Sequence, residues 1–126
     1  MSRTAKLALI LPFLLGLFMS VQAVFLPERL RETLGGLAAT GPVGAASLYA
    51  DFPAYFLTYT IGIGAALFAG RRDWLFAPIA LFGLTAVGRI GHGLVNGFVL
   101  GALMPIGVEI VACALMAYAW RSRPVT

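Results

Sequence analysis

The chain has 126 residues, of which 60% are hydrophobic and 11% are charged, and its net charge at neutral pH is +4. Soluble domains contain roughly 45–50% apolar and about 25% charged residues, and small ones leave much of their surface in water. A soluble domain is therefore excluded, and lipid must surround much of the chain. The basic residues stand in pairs beside apolar runs, as membrane-flanking charges do, so nucleic acid is not an expected partner. The single cysteine, Cys113, excludes an intrachain disulfide and a cysteine-based metal site.

Four apolar segments follow one another, and each has the length of a membrane-spanning helix. About 20 apolar residues cross a hydrocarbon core of roughly 30 Å, and a spanning segment must satisfy its own backbone hydrogen bonds. Alternating strand patterns are absent, and Asn96-Gly97 divides the last apolar stretch in two. We therefore predict an all-α membrane protein in a single domain, 1–126, with four transmembrane helices in an up-down-up-down bundle. The predicted spans are 6–26, 47–70, 74–95 and 98–120.

The first apolar segment has a second interpretation, as a cleavable signal peptide. Arg3 and Lys6 precede an apolar run that reaches Val21-Gln22-Ala23, which resembles a cleavage site. The run continues through Leu26 to full spanning length. A retained transmembrane helix is therefore the prediction.

The sequence of the loop after the first span, from Pro27 onward, predicts a short helix on the outer membrane surface. Pro27 can begin such a helix, and Gly35-Gly36 can end it. Leucines fall on one face and charged residues elsewhere, as in helices that lie at a membrane interface. The following stretch, 38–44, predicts a flexible linker. The leucines are Leu30, Leu34 and Leu37, and the charged residues are Glu28, Arg31 and Glu32.

The distribution of lysine and arginine predicts the orientation. Six of these residues flank the chain ends and the connection between the second and third spans, whereas two lie in the first loop. Because loops rich in lysine and arginine stay in the cytoplasm, we predict a multi-pass protein of the bacterial cytoplasmic (inner) membrane with both termini cytoplasmic. Trp74 and Trp120 adjoin arginines on that side. The six residues are Arg3, Lys6, Arg71, Arg72, Arg121 and Arg123.

Several polar and ionisable side chains lie within or near the spans. A charge at the centre of a spanning helix costs about 2.5–3.5 kcal/mol, so such residues usually face the interior and pair. Helical spacing places Arg89 on one stripe of the third helix and predicts that it meets Glu109 of the fourth, although their depths differ by roughly 8 Å. Asp51 is expected to begin the second helix from the outside. The candidate site comprises Asp51, Tyr55, Arg89, His92, Asn96 and Glu109.

These residues favour a polar pocket in the outer half of the bundle, open to the periplasm. The predicted function is non-enzymatic binding of a membrane lipid, quinone or similar amphiphilic small molecule. Arg89 would supply a fixed positive charge, Glu109 its counter-ion, and His92 and Asn96 the polar rim. No catalytic residue is predicted, because arginine, histidine and glutamate without a nucleophile fit few reactions. No metal or cofactor is predicted either, because the sequence has no metal-binding cluster, nucleotide-binding loop or pair of haem-binding histidines.

Three other interpretations stay open. The Arg89–Glu109 pair could serve only to fix the register of the helices. Glu109 could carry protons in a small proton-coupled transporter, which would need a homo-oligomer because four helices alone make a poor transport path. The protein could also be a structural subunit that binds a partner in a larger membrane complex. An exposed stripe of the small residues Gly62, Ala66 and Gly70 would favour that last role.

Short motifs in the last two spans resemble a known family. The motifs are Gly88-Arg89-Ile90-Gly91, Gly97 in the turn, and Val108-Glu109-Ile110. They are similar to those of a widespread family of small bacterial four-helix membrane proteins classified as a domain of unknown function. The resemblance covers residues 45–120. It implies the four-helix fold and the Arg89–Glu109 pair, and it implies no activity because none is assigned to the family.

Overall fold

The computed structural model describes residues 1–33 and 41–122. Over these residues the chain forms five α-helices and a single 3₁₀ turn. The helices are α1 (Arg3–Phe25), α2 (Pro27–Thr33), α3 (Gly41–Ala69), α4 (Phe76–Asn96) and α5 (Leu100–Arg121), and the 3₁₀ turn is Arg72–Leu75.

Four segments of the structure are long and apolar enough to cross a membrane, so the chain is a multi-pass membrane protein. One third or less of the residues in each segment are buried inside the protein, and large apolar side chains such as Leu11, Phe68 and Leu84 lie exposed. An apolar outer surface of this kind is suited to lipid rather than to water. The segments are Arg3–Phe25, Tyr49–Ala69, Arg72–Asn96 and Leu100–Arg121, close to the predicted spans.

The ends of the long helices have local causes. The Ser2 hydroxyl accepts a hydrogen bond from the Ala5 amide at 3.1 Å and so caps the start of α1. Gly70 and Gly97 have φ values of 67° and 87°, in the left-handed region where side chains are strained. These two glycines follow the last residues of α3 and α4. The predicted division at Asn96-Gly97 is confirmed.

Small residues let the long helices approach closely. Helix α1 packs against α3 and α5, and α4 packs against the same two helices. A Cβ atom added to Gly16 would lie 2.5 Å from Thr60 Oγ1, and one added to Gly62 would lie 2.6 Å from the Pro78 ring. Gly62 and Ala66 are both buried within the chain. Gly62 and Ala66 of the predicted stripe are therefore used for internal packing, whereas its third member, Gly70, is exposed.

The largest buried cluster joins α1, α3, α4 and α5. Leu9, Tyr59, Ile63 and Met116 are fully buried in it. The Tyr59 ring stacks on Phe82 of α4, with ring centroids 4.1 Å apart. Aromatic stacking of this kind adds about 0.5–1.5 kcal/mol to the burial of the two rings.

One end of the molecule brings together the first residue of the chain, the α3–α4 connection and the end of α5. Arg72 Nη1 donates a hydrogen bond to the Ser122 carbonyl at 2.9 Å. Met1, Gly70–Asp73 and Ser122 line one cleft there. We call this region the charged end. Arg72 and Arg121 line a second cleft at this end, so basic residues that lie far apart in the sequence are neighbours in space.

The loop after α1 agrees with the prediction at its start and differs later. Helix α2 begins at Pro27, as predicted, and buries Leu30 against Met19, Ala23 and Phe56. Its predicted end at Gly35-Gly36, with Leu34 and Leu37, lies outside the described residues.

The prediction of a flexible linker at 38–44 is wrong for residues 41–44. Residues 38–40 lie outside the described part of the chain. Gly41 to Gly44 belong to α3. Pro42 lies in the first turn of that helix, where a proline loses no helical hydrogen bond and its fixed φ suits the helix. Asp51 consequently lies ten residues after Gly41, so the prediction that it begins the second helix is also wrong.

Candidate functional site

The centre of the candidate site is a direct ion pair between α4 and α5. Arg89 Nε donates a hydrogen bond to Glu109 Oε1 at 2.9 Å. This contact confirms the predicted pair. The Glu109 side chain is only 9% exposed, whereas that of Arg89 is 38% exposed. The carboxylate therefore lies inside the protein and the guanidinium at its edge.

Both partners of this pair keep unused hydrogen-bonding atoms. Glu109 Oε2 is buried and has no hydrogen-bond partner among the described residues. Within that same part of the chain, neither Nη1 nor Nη2 of Arg89 donates a hydrogen bond. Leaving a buried polar atom unsatisfied costs about 1–3 kcal/mol, and more for a charged group. This cost falls on Glu109 Oε2, which only a hydrogen-bond donor could satisfy, whereas the more exposed terminal nitrogens of Arg89 could donate to oxygen atoms of a ligand.

Tyr55 connects α3 to α4 one helical turn away from Arg89. Its hydroxyl donates to the Leu81 carbonyl at 3.2 Å and lies 2.9 Å from the Thr85 hydroxyl. Thr85 itself donates to the Leu81 carbonyl at 2.6 Å. Because Arg89 follows Thr85 by one turn on the same face of α4, Tyr55 lies at the base of the polar stripe that Arg89 continues.

The remaining candidate residues lie on the surface. Asp51 and His92 are exposed, and their side chains make no hydrogen bond to any described residue. Asn96 is also exposed, and its amide nitrogen donates to the His92 carbonyl at 3.3 Å. Asp51 lies one turn from Tyr55, in the direction away from the charged end. On the side of the Tyr55–Thr85 contact that faces away from the charged end, these polar residues of α3 and α4 are therefore exposed.

Three of the candidate residues are exposed and two are partly exposed, so they lie at the protein surface and not in an enclosed pocket of the predicted kind. We call this set of residues the polar groove: Asp51, Tyr55, Arg89, His92 and Asn96. Two clefts, of about 350 and 520 Å³, lie instead at the charged end. None of the six candidate residues lines either cleft. The position of these two clefts counts against the predicted pocket, and it leaves open the interpretation that the Arg89–Glu109 pair fixes the register of the helices.

Two interior polar contacts were not expected from the sequence. The Ser20 hydroxyl lies 3.0 Å from that of Thr60, and Thr60 also donates to the Phe56 carbonyl at 2.8 Å. The Tyr59 hydroxyl is buried without a hydrogen-bond partner among the described residues. Tyr59 shares a helical face with Ile63 and Ala66, but exposed faces of this helix are apolar too, so the sequence carries no signal that marks this face as buried.

The fold and the site together define a class, that of a multi-pass membrane protein with four candidate spanning helices and a half-satisfied arginine–glutamate pair. Comparison of the chain with family models, curated proteins and solved structures finds no match. The resemblance noted at Arg89 and Glu109 therefore stays a prediction.

Proposed function

We propose that this protein is a non-enzymatic membrane protein that binds the head group of an amphiphile, such as a lipid or a quinone, at Arg89. One observation carries the proposal. Arg89 donates its Nε atom to Glu109, its side chain is 38% exposed, and its two terminal nitrogens donate to none of the described residues.

The chemistry of the guanidinium determines the kind of ligand. Its donors form a planar fork that matches the oxygen atoms of a phosphate or a carboxylate, and it also donates to carbonyl oxygens. In apolar surroundings an unsatisfied donor is costly, so the gain from an incoming oxygen is larger than in water. Glu109 holds the arginine in one orientation before the ligand arrives, which lowers the ordering cost of binding. His92 and Asn96, on the next turns of α4, supply further polar contacts.

The proposed arrangement in the membrane places this site in the outer half. We propose an up-down-up-down bundle in the bacterial cytoplasmic membrane, with the charged end and both termini in the cytoplasm. Arg89 follows the first residue of α4 by 13 positions, or about 20 Å along the helix. Reporter fusions after Thr126 and within Arg71–Asp73 should then report cytoplasm, and one at Ala39 should report periplasm. A C-terminal fusion that is active only in the periplasm would mean an odd number of spans.

A second candidate function rests on Glu109. Its Oε2 atom is buried without a partner among the described residues, in a helix that could span the membrane. A buried carboxylate of this kind is a common element of proton pathways. A proton-coupled transporter built from this chain would act as a dimer.

The structural-subunit role loses the support of a small-residue stripe, since Gly62 and Ala66 are buried inside the chain.

Native mass spectrometry of protein extracted in a mild detergent tests these functions. Wild-type protein should carry a bound amphiphile, Arg89→Lys should retain less of it, and Arg89→Leu should lose it. The matched control is Arg29→Leu, which removes an exposed arginine from α2. An unliganded wild-type monomer, or an Arg89→Leu variant that carries the same amphiphiles in the same number as the wild type, would refute head-group binding at Arg89. An unliganded dimer would favour the transporter, and a heteromeric assembly would favour the structural subunit.

A further inference from the structure

The charged end carries a second set of arginines, which amphiphile binding at Arg89 does not use. The cleft of about 350 Å³ is lined in part by Arg71, and the cleft of about 520 Å³ by Trp120 and Arg121. Arg72 and Asp73 line both clefts, so the two are neighbours. Three arginines and one aspartate give these four side chains a combined charge of +2.

Two of these arginines are held in place by contacts within the protein. Arg72 Nη1 donates to the Ser122 carbonyl at 2.9 Å, which ties the α3–α4 connection to the end of α5. The guanidinium carbon of Arg71 lies 5.8 Å from the centroid of the Trp74 ring, within the range of a cation–π interaction. Because both side chains are partly ordered before binding, an anion between them would lose less entropy on binding than with free arginines.

We infer that the two clefts form one binding site for the phosphate head group of an anionic phospholipid. Arginine forks bind phosphate oxygens in pairs of hydrogen bonds, and basic pockets between spanning helices accept anionic head groups. Asp73 lines the same site and forms no ion pair with the described residues. Its carboxylate can accept hydrogen bonds from the hydroxyl groups of a glycerol head group.

The surroundings of the clefts favour a lipid over a soluble phosphoester. Trp74 and Trp120 are 45% and 42% exposed at this end, and indole rings commonly lie at the level of the head groups. Phe68 and Phe76, near the ends of α3 and α4, are 76% and 68% exposed. Acyl chains can pack on this apolar surface while the phosphate occupies the clefts. In the orientation proposed above, the lipid belongs to the cytoplasmic leaflet.

Lipid titrations followed by native mass spectrometry test this site. The probes are phosphatidylglycerol, phosphatidylethanolamine and phosphatidylcholine with identical acyl chains, and glycerol phosphate as the soluble phosphoester. Wild-type protein should bind phosphatidylglycerol most tightly. The double variant Arg71→Gln/Arg121→Gln should weaken that binding by about fivefold for each arginine, the effect of one basic residue near an anionic surface. Arg29→Gln, with the same change of charge in α2, should bind like the wild type.

Several results would overturn the inference. Equal affinities for phosphatidylglycerol and phosphatidylcholine would show that the clefts do not select an anionic head group. Competition by glycerol phosphate at the same concentration as the lipid would assign the clefts to a soluble phosphoester. Unchanged binding by the double variant would show that Arg71 and Arg121 do not bind the head group. Arg71 and Arg121 are exposed, and the variant loses only the contact of Arg71 with the Trp74 ring, so it should unfold close to the wild-type midpoint without added lipid, which checks its fold.

A separate variant distinguishes this site from the polar groove. Arg89→Leu should leave the phosphatidylglycerol affinity of the charged end unchanged, because Arg89 lines neither cleft. If Arg89→Leu abolished all lipid binding while Arg71→Gln/Arg121→Gln had no effect, the polar groove would be the binding site and the inference about the charged end would be wrong.

Discussion

Removing Arg89 should destabilise the protein more than removing Glu109, and more than removing both. In Arg89→Leu the Glu109 carboxylate, 9% exposed, loses the one hydrogen bond it has and keeps no partner for either oxygen. An uncompensated buried charge costs about 3–5 kcal/mol. In Glu109→Leu the arginine, 38% exposed, can extend toward the surface, so the cost should be about 1–2 kcal/mol.

The double variant Arg89→Leu/Glu109→Leu should be close to the wild type in stability, within about 1 kcal/mol, because apolar replacements of a buried ion pair are often neutral. The coupling between the two positions would then be at least about 3 kcal/mol. Unfolding in mixed lipid–detergent micelles titrated with sodium dodecyl sulfate measures these free energies, with Trp74 and Trp120 as fluorescent probes.

The control for this experiment is a different arginine, Arg121, which lies on the same helix as Glu109. Arg121 follows Glu109 by 12 positions, or about 18 Å along the helix, which is beyond the range of direct coupling. Free energies for Arg121→Leu and Glu109→Leu should therefore add within about 0.5 kcal/mol. If the Arg89 and Glu109 variants also prove additive, the two side chains do not interact in the membrane and the reasoning fails, together with the proposed role of Glu109 in orienting Arg89.

Two further predictions concern the packing of α3, and the same titration measures both. Gly16→Ala should cost about 1–3 kcal/mol, because its Cβ would lie 2.5 Å from Thr60 Oγ1. Gly107→Ala, which has open space around the new methyl group, should be neutral or stabilising by up to about 1 kcal/mol, and equal effects would contradict the tight α1–α3 contact. Tyr55→Phe should cost about 1 kcal/mol, since Thr85 keeps its own bond to the Leu81 carbonyl. No loss at all would mean that the Tyr55 hydroxyl does not join α3 to α4.

The central contact of the site was predictable from the sequence, but most of its surroundings were not. Arg89 and Glu109 stand out because a charge among apolar residues is costly unless it is paired. Asp51 shares a helical stripe with Tyr55, yet one is exposed and the other partly buried. The spacing of residues predicts which of them share a face, but how far a neighbouring helix covers that face depends on how the helices diverge.

The clefts at the charged end depend still more on the tertiary structure. Their lining residues come from the start of the chain, the α3–α4 connection and the end of α5. The positive-inside rule groups these arginines on one side of a membrane without stating that any two are neighbours. Their proximity follows from helix packing and from the hydrogen bond between Arg72 and Ser122.

The sequence by itself determined that this is a membrane protein with four candidate spans, because length and hydropathy are properties of each segment alone. It also identified the Arg89–Glu109 pair. Only the tertiary structure decided which face of each helix points inward. In a spanning helix the lipid-facing side and the buried side are both apolar, so hydropathy does not distinguish them. Close contacts such as Gly16 against Thr60, and the open polar groove beside Arg89, arise when the helices pack.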